Sequence, residues 1–336
     1  MKKITFAALF SVFMLTIITP PTQSFGAELS REALIKLADD YFAALVTHNP
    51  KAVPLADDIK IVEQVKRIKP GEGLWQTATS GPTNFKIVVP DTVAQQVGGI
   101  IVMGISGTPS MLGFRLKVEN DKITEAEHLI AGINPDSPMV QAPRPAILME
   151  VPYKYRDSRG RLIWIAESYY DALEFNNGSL TPFAPDCERR ENGSRSVPQG
   201  GPSLSGSQVA ASVVQTTPKP GATPKAKPAT LMGMQTCASQ LDNGVWRYIT
   251  AIHPRRVLIA DELTGVAIGL SQLRHPMTQK KFKILNTPGV EERDMTNQQP
   301  FDMPALHLYK IWGGQMHEIE AVGIVTEYNA PTGWED

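Results

Sequence analysis

The chain lacks most of the signatures by which a catalytic protein announces itself. It holds no HExxH, no CxxC pair, no P-loop lysine and no GxSxG elbow. "GGQMHE" is not a dinucleotide fingerprint. Six histidines (48, 128, 253, 275, 307 and 317) show no close metal-ligand spacing, so neither a metal nor a cofactor is expected. Any chemistry would be cofactor-free acid–base work in an enclosed pocket. Charge of one sign is lacking as well. Setting aside Lys2 and Lys3 leaves 31 basic against 34 acidic residues, a balance that suggests neither nucleic acid nor an anionic membrane as partner.

Long hydrophobic runs are missing except at the start. Lys2 and Lys3 precede the uncharged run Ile4 to Ile18, which Pro20 and Pro21 break before the small residues of "SFGAE". That is the pattern of a bacterial secretory signal, placed here at residues 1–27. Fifteen residues, mostly apolar, are short of the roughly 20 that a membrane span needs. The expectation is a periplasmic or secreted protein with no membrane segment in its mature form.

Cysteine is scarce: only Cys187 and Cys237. In an oxidising compartment such a pair is expected to form a disulfide, and neither lies in a recognisable nucleophile motif.

What the chain does contain is itself, twice. Between Ala38 and Glu63, nine of 26 positions match the stretch 128 residues later without a gap. They include Tyr41/Tyr169, Asn49/Asn177, Asp58/Asp186 and Glu63/Glu191. The closing hairpins also match, "LKVENDKITEAE" over "YKIWGGQMHEIE", with Lys117/Lys310, Glu125/Glu318 and Glu127/Glu320 identical. Each copy opens with apolar residues at helical spacing (Leu34, Leu37, Ala38, Tyr41, Leu45 in the first) and continues as alternating strands. The fold class expected is α+β, with two units related by internal duplication. The units are placed at 28–132 and 161–330, with a linker at 133–160. Residues 194–234, rich in Gly, Pro, Ser and Thr, read as a disordered insertion in the second.

The helices carrying "YFAAL" and "YYDAL", the corners "PLADD" and "PFAPD", and the closing "KITE" hairpin resemble the nuclear-transport-factor-2-like, SnoaL-like superfamily. "GEGLW" at Gly71–Trp75 is similar to a subfamily of secreted bacterial and fungal domains. The resemblance implies two cones, each a curved antiparallel sheet closed by helices around a pocket for a small apolar or aromatic molecule. Superfamily members include isomerases, dehydratases, lyases and non-catalytic binders, so the fold alone leaves both classes open.

Candidate site residues follow from position. Glu63 and Glu191 leave the corner on a strand expected to border the cavity, where burial would raise a carboxylate pKa. A salt bridge to Arg189 or Arg190 is the competing role for Glu191. In "MPALHLYKIW", His307 and Tyr309 align with the apolar Phe114 and Leu116. They should therefore point inward, as catalytic candidates with Glu191; a core histidine satisfied by one hydrogen bond is the alternative. Arg190 and Arg255 are the ligand-binding arginines expected, the latter because alternation separates it from Arg256. Asp261 reads as a turn residue of "DELTG". Tyr41, Trp75 and Tyr169 line or close the cones, which core packing alone would also explain. Glu125/Glu127 and Glu318/Glu320 read as outward charge ladders beside Lys117 and Lys310, on a convex face where the two copies could pack as a pseudo-dimer.

Overall fold

Ser30 and Asn49 bracket the first structural decision. The Ser30 hydroxyl accepts from the Ala33 N–H, and Leu34, Leu37, Ala38, Tyr41 and Leu45 then form one buried stripe on helix α1 (Arg31–Val46). At its far end Asn49 accepts from the Lys51 N–H and turns the chain into strand β1 (Leu55–Glu63). The computed structural model describes residues 28–197, 235–287 and 291–335. The signal segment and most of the proposed insertion lie outside the described residues.

The first unit continues through β2 (Lys66–Ile68), the single turn α2 (Leu74–Thr77), β3 (Ala78–Asp91), β4 (Gln96–Ile105), β5 (Thr108–Glu119) and β6 (Lys122–Gly132). Its sheet order is β2-β1-β6-β5-β4-β3. A linker carrying α3 (Pro145–Leu148) leads to α4 (Arg159–Glu174). The second sheet, β8-β7-β14-β13-β10-β9, repeats the order. Its strands are β7 (Phe183–Glu191), β8 (Ser194–Val197), β9 (Ala251–Asp261), β10 (Val266–His275), β13 (Phe301–Trp312) and β14 (Gln315–Gly323). A short helix α5 (Cys237–Asp242), a two-stranded ribbon of β11 (Lys281–Lys283) with β12 (Glu292–Asp294), and β15 (Thr326–Glu327) are additions of this unit.

The α+β class and the duplication are thus observed, with two refinements. The sheets are mixed rather than antiparallel, because β1 runs parallel to β6 and β7 parallel to β14. Ser194–Val197, placed in the insertion by composition, pairs with β7 as a strand.

Each sheet has two buried faces. One closes on its own helix: Phe114, Leu116 and Val118 join Tyr41 and Phe42 in the first unit, and Tyr309 and Ile311 join Tyr169 in the second. The other faces meet back to back, with Ile100, Met111 and Leu129 packed with Ile268, Leu306 and Val322. Gly113 permits the close approach: a Cβ there would lie 3.3 Å from that of Leu306. Reciprocal ion pairs mark the pseudo-twofold. Arg31 opens α1 and reaches Asp261 of the second unit at 2.6 Å; Arg159 opens α4 and reaches Asp91 of the first at 2.9 Å. This isologous exchange is what a duplicated dimer predicts.

Candidate functional site

Period-two alternation sets which side chains of β7 and β13 enter the second cone. Cys187, Arg189 and Glu191 share the inner face of β7; His307 and Tyr309 share that of β13. Helix α4 presents Tyr169 and Tyr170 to them. Tyr169 lies 5.5 Å from the His307 ring and 5.4 Å from Tyr309, and Tyr170 lies 5.7 Å from His307. The His307 and Tyr309 rings are parallel within 5°. Arg189 donates to the Tyr169 hydroxyl at 3.1 Å and its guanidinium lies over Trp246.

The polar atoms of this cluster are under-partnered. His307 Nδ1 and Arg189 Nη2 are buried and have no hydrogen-bond partner among the described residues, whereas the buried Tyr170, Tyr309 and Ser271 hydroxyls interact with one another, short of ideal hydrogen-bond geometry. Burial, with the Arg189 charge adding to it, pushes His307 down to about 3. Burial also holds the Tyr309 phenol well above its usual range. All of these groups are uncharged at neutral pH except Arg189. No hydrogen bond from a described residue reaches the Glu191 carboxylate, although its charge acts on Tyr169 and Arg189.

The first cone holds a different constellation. Glu63, at the end of β1, pairs in register with His128 on β6, and its Oε2 meets His128 Nδ1 at 3.1 Å. The opposite ring nitrogen meets the Tyr41 hydroxyl, also at 3.1 Å. Tyr41 packs edge-on against Trp75 at 5.3 Å. With the proton on Nδ1 the trio is satisfied: Nδ1–H donates to Glu63, and the Tyr41 O–H donates to Nε2. Glu63 Oε2 also accepts from the Leu74 N–H at 3.0 Å. Gly73 makes this possible: it has φ +59°, and a Cβ there would lie 2.3 Å from Glu63 Oε1. The trio is sealed at its centre, since Tyr41 and His128 are both fully buried.

Two of the expected ligand-binding arginines point elsewhere. Arg190 alternates away from Glu191 onto the convex face, where its Nε donates to Glu188 at 2.6 Å. Its neighbour Arg189 takes the inner position. Arg255 does face α4, but its guanidinium is engaged by Asp171 at 2.5 Å and Glu174 at 2.6 Å, clamping strand to helix. Asp261 accepts from Leu263 N–H and the Thr264 hydroxyl, as a turn residue should. The Cys187–Cys237 disulfide is present, with a Cα separation of 5.9 Å.

The Lys117–Glu125 ladder is part-exposed, at 3.5 Å, but Glu127, Glu318, Glu320 and Lys310 are interior. Arg144, from the linker, sits among Glu188, Glu318 and Glu320 and donates to the Ile319 carbonyl. Arg256 grips Glu127 of the first unit at 2.6 Å, beside Arg115. Convex-face packing turns surface ladders into buried networks, and desolvation raises Glu320 to about 7.

A family model described as "Domain of unknown function (DUF8021)" matches residues 27–130 and 155–323. The chain belongs to that family. The two matched DUF8021 blocks coincide with the two α+β units and leave out most of the linker. No curated protein matches. Among solved structures, an NTF2-like protein of unknown function from Cytophaga hutchinsonii is similar at 14% identity and a TM-score of 0.25, covering 29% of this chain and 88% of its own. AclR, a hydroxylase candidate from Streptomyces galilaeus, is similar at 8% identity and the same TM-score, covering 52% and 83%. Likeness at that level assigns no function to the DUF8021 chain.

Sequence reasoning on this DUF8021 protein missed His128, Arg189 and Arg144. His128 carried a usable signal: it shares alternation with Ala126 and so faces the cone. Arg189 shares the parity of Glu191. Nothing local marked Arg144, whose partners come from two strands more than forty residues away in sequence.

Proposed function

We propose that this protein binds a small aromatic compound in its second unit, against the aromatic cluster of Tyr169, Tyr170, His307 and Tyr309. The observation that carries the reading is that His307 Nδ1 and Arg189 Nη2 are buried without partners beside an aromatic cluster. Each buried polar group without a partner costs about 1–3 kcal/mol, so two in one cluster favour an occupant that supplies hydrogen bonds. Arg189, with Nη2 unpartnered and Nη1 on Tyr169, selects a ligand head group that is a carboxylate or phenolate.

Binding without turnover is the favoured mode. General acid–base catalysis works best with a group poised near the working pH. His307, held down to about 3, and Tyr309, held far up, are both locked in their neutral forms. The disulfide fits an oxidising compartment, in keeping with export through the N-terminal segment.

One observation favours a second reading, isomerase, dehydratase or lyase chemistry. The Glu191 carboxylate borders the cluster without a hydrogen bond from any described residue, a suitable position for a base. Calorimetric titration of the mature protein with hydroxybenzoates and phenols separates the readings. Binding is expected to weaken at least tenfold in Arg189→Ala and His307→Ala and to persist in Glu191→Gln. Affinity unchanged in both alanine variants would sink the binding site. Substrate conversion abolished by Glu191→Gln would establish the catalytic alternative.

A further inference from the structure

A cavity on the second unit lies outside its cone. It is an open cleft of about 310 Å³ between the linker and the β13–β14 hairpin, on the side away from Tyr169. Its walls are mostly apolar and aromatic: Met149, Val151, Pro152, Tyr155 and Trp312. The Trp312 ring is stacked on His317 at 3.8 Å and meets Tyr155 edge-on at 6.0 Å, which holds both large faces in place. That volume suits a compound of one or two rings.

Lys310 belongs to this lining and is 3% exposed. Its amine donates to the Met149 carbonyl at 2.6 Å and the Thr264 carbonyl at 2.5 Å. A neutral primary amine has two hydrogens and one lone pair. With both hydrogens directed to backbone carbonyls, the lone pair is left for the cavity. We propose that this cavity captures small aromatic aldehydes and ketones as a reversible imine on Lys310. The amine lone pair attacks the carbonyl carbon to give a carbinolamine. The two amine hydrogens then leave with the former carbonyl oxygen as water, and a C=N bond replaces C=O. Oxidant and reductant are not needed, and hydrolysis reverses the step.

Protonation supports the geometry. Burial pushes Lys310 down to about 8, against the opposing charges of Glu318 and Asp261. Glu150, Tyr155, Asp186 and His317 complete the titratable groups of the cavity. About half of the Lys310 amine is therefore free base at pH 8, whereas an ordinary lysine is less than about 1% so. The competing role is a clasp, with an ammonium tying the linker to the β9–β10 turn. A clasp uses the same two carbonyls but gives Lys310 no preference for carbonyl compounds.

The site is independent of the second cone, and so is its test. The mature protein is incubated with benzaldehyde and sodium cyanoborohydride at pH 8, and modified lysines are mapped by peptide mass spectrometry. Lys310 should be benzylated at least tenfold faster than Lys36 and Lys281, whose side chains are 73% and 58% exposed. Ala146→Trp, which fills the cavity without touching the amine, should remove that preference, with Val151→Trp as a second filling variant. Labelling confined to exposed lysines, or Lys310 labelling unchanged in a folded cavity-filled variant, would overturn the proposal.

Discussion

Glu63 and His128 sit opposite one another on parallel strands, carboxylate to imidazole at 3.1 Å, with Tyr41 closing the other ring nitrogen. The corresponding rung of the second unit is Glu191 opposite Ala321. There the histidine has moved one strand across, to His307, and the position it took is that of Phe114 in the first unit. The duplicated scaffold therefore holds two polar interiors of opposite character. The Glu63–His128–Tyr41 trio of the first is satisfied, although Trp75 Nε1 beside it has no partner; in the second, His307 Nδ1 and Arg189 Nη2 have none among the described residues. That contrast is why the ligand is assigned to the second.

Because the first trio is satisfied, it should act as structure. His128→Ala leaves the Tyr41 hydroxyl without its partner and removes one from Glu63, an expected loss of about 2–4 kcal/mol in urea unfolding. Tyr41→Phe should cost about 1 kcal/mol. Ligand affinity should be unchanged in both; a weakened ligand with intact stability would move the binding site to the first unit.

Glu320 gives a pH signature. Its folded pKa, raised to about 7, exceeds the ordinary 4.5, so between those values the folded state binds more protons than the unfolded state. Stability then falls as pH rises from about 4.5 to 7. The difference between wild type and Glu320→Gln in denaturant midpoint should develop across that window, the variant gaining relative stability toward pH 8. A difference independent of pH would mean that Arg144 keeps Glu320 ionised.

His307 acts with the opposite sign. Its folded pKa is depressed from 6.5 to about 3, so the unfolded state takes up the proton first as pH falls. Stability is lost progressively below about pH 6.5. Substituting His307→Phe, which restores the residue type of Phe114, should blunt acid denaturation between pH 6.5 and 3. An unaltered acid transition would show that the imidazole is hydrated.

Arg255 should be dispensable for binding. Its pairs with Asp171 and Glu174 are partly exposed, with side-chain exposures of 21%, 48% and 23%. Arg255→Ala should therefore lower stability by about 1 kcal/mol or less and leave calorimetric affinity unchanged. A tenfold loss of affinity would return Arg255 to the ligand site.

The Cys187–Cys237 bridge closes a separation of 50 residues. On the chain-entropy estimate, Cys187→Ser with Cys237→Ser should cost about 4 kcal/mol, read as a lower urea midpoint. An unchanged midpoint would indicate that the reduced chain is already constrained there.

Sequence alone determined the elements that rest on local chemistry. Helical spacing located α1 and α4, alternation turned His307 and Tyr309 inward, and the 128-residue repeat announced two similar units. The same alternation could have chosen Arg189 over Arg190, since it shares parity with Glu191; proximity in sequence concealed it. What remained invisible depended on meetings across long separations. Glu63 and His128 are 65 residues apart and come together only because β1 pairs with β6 in parallel. Glu127, Glu318 and Glu320 read as solvated ladders because a strand pattern shows which residues share a face but not what covers it. Tertiary structure decided that cover: the two convex sheets lie against each other, the linker inserts Arg144, and charges that water would have screened are left to satisfy one another.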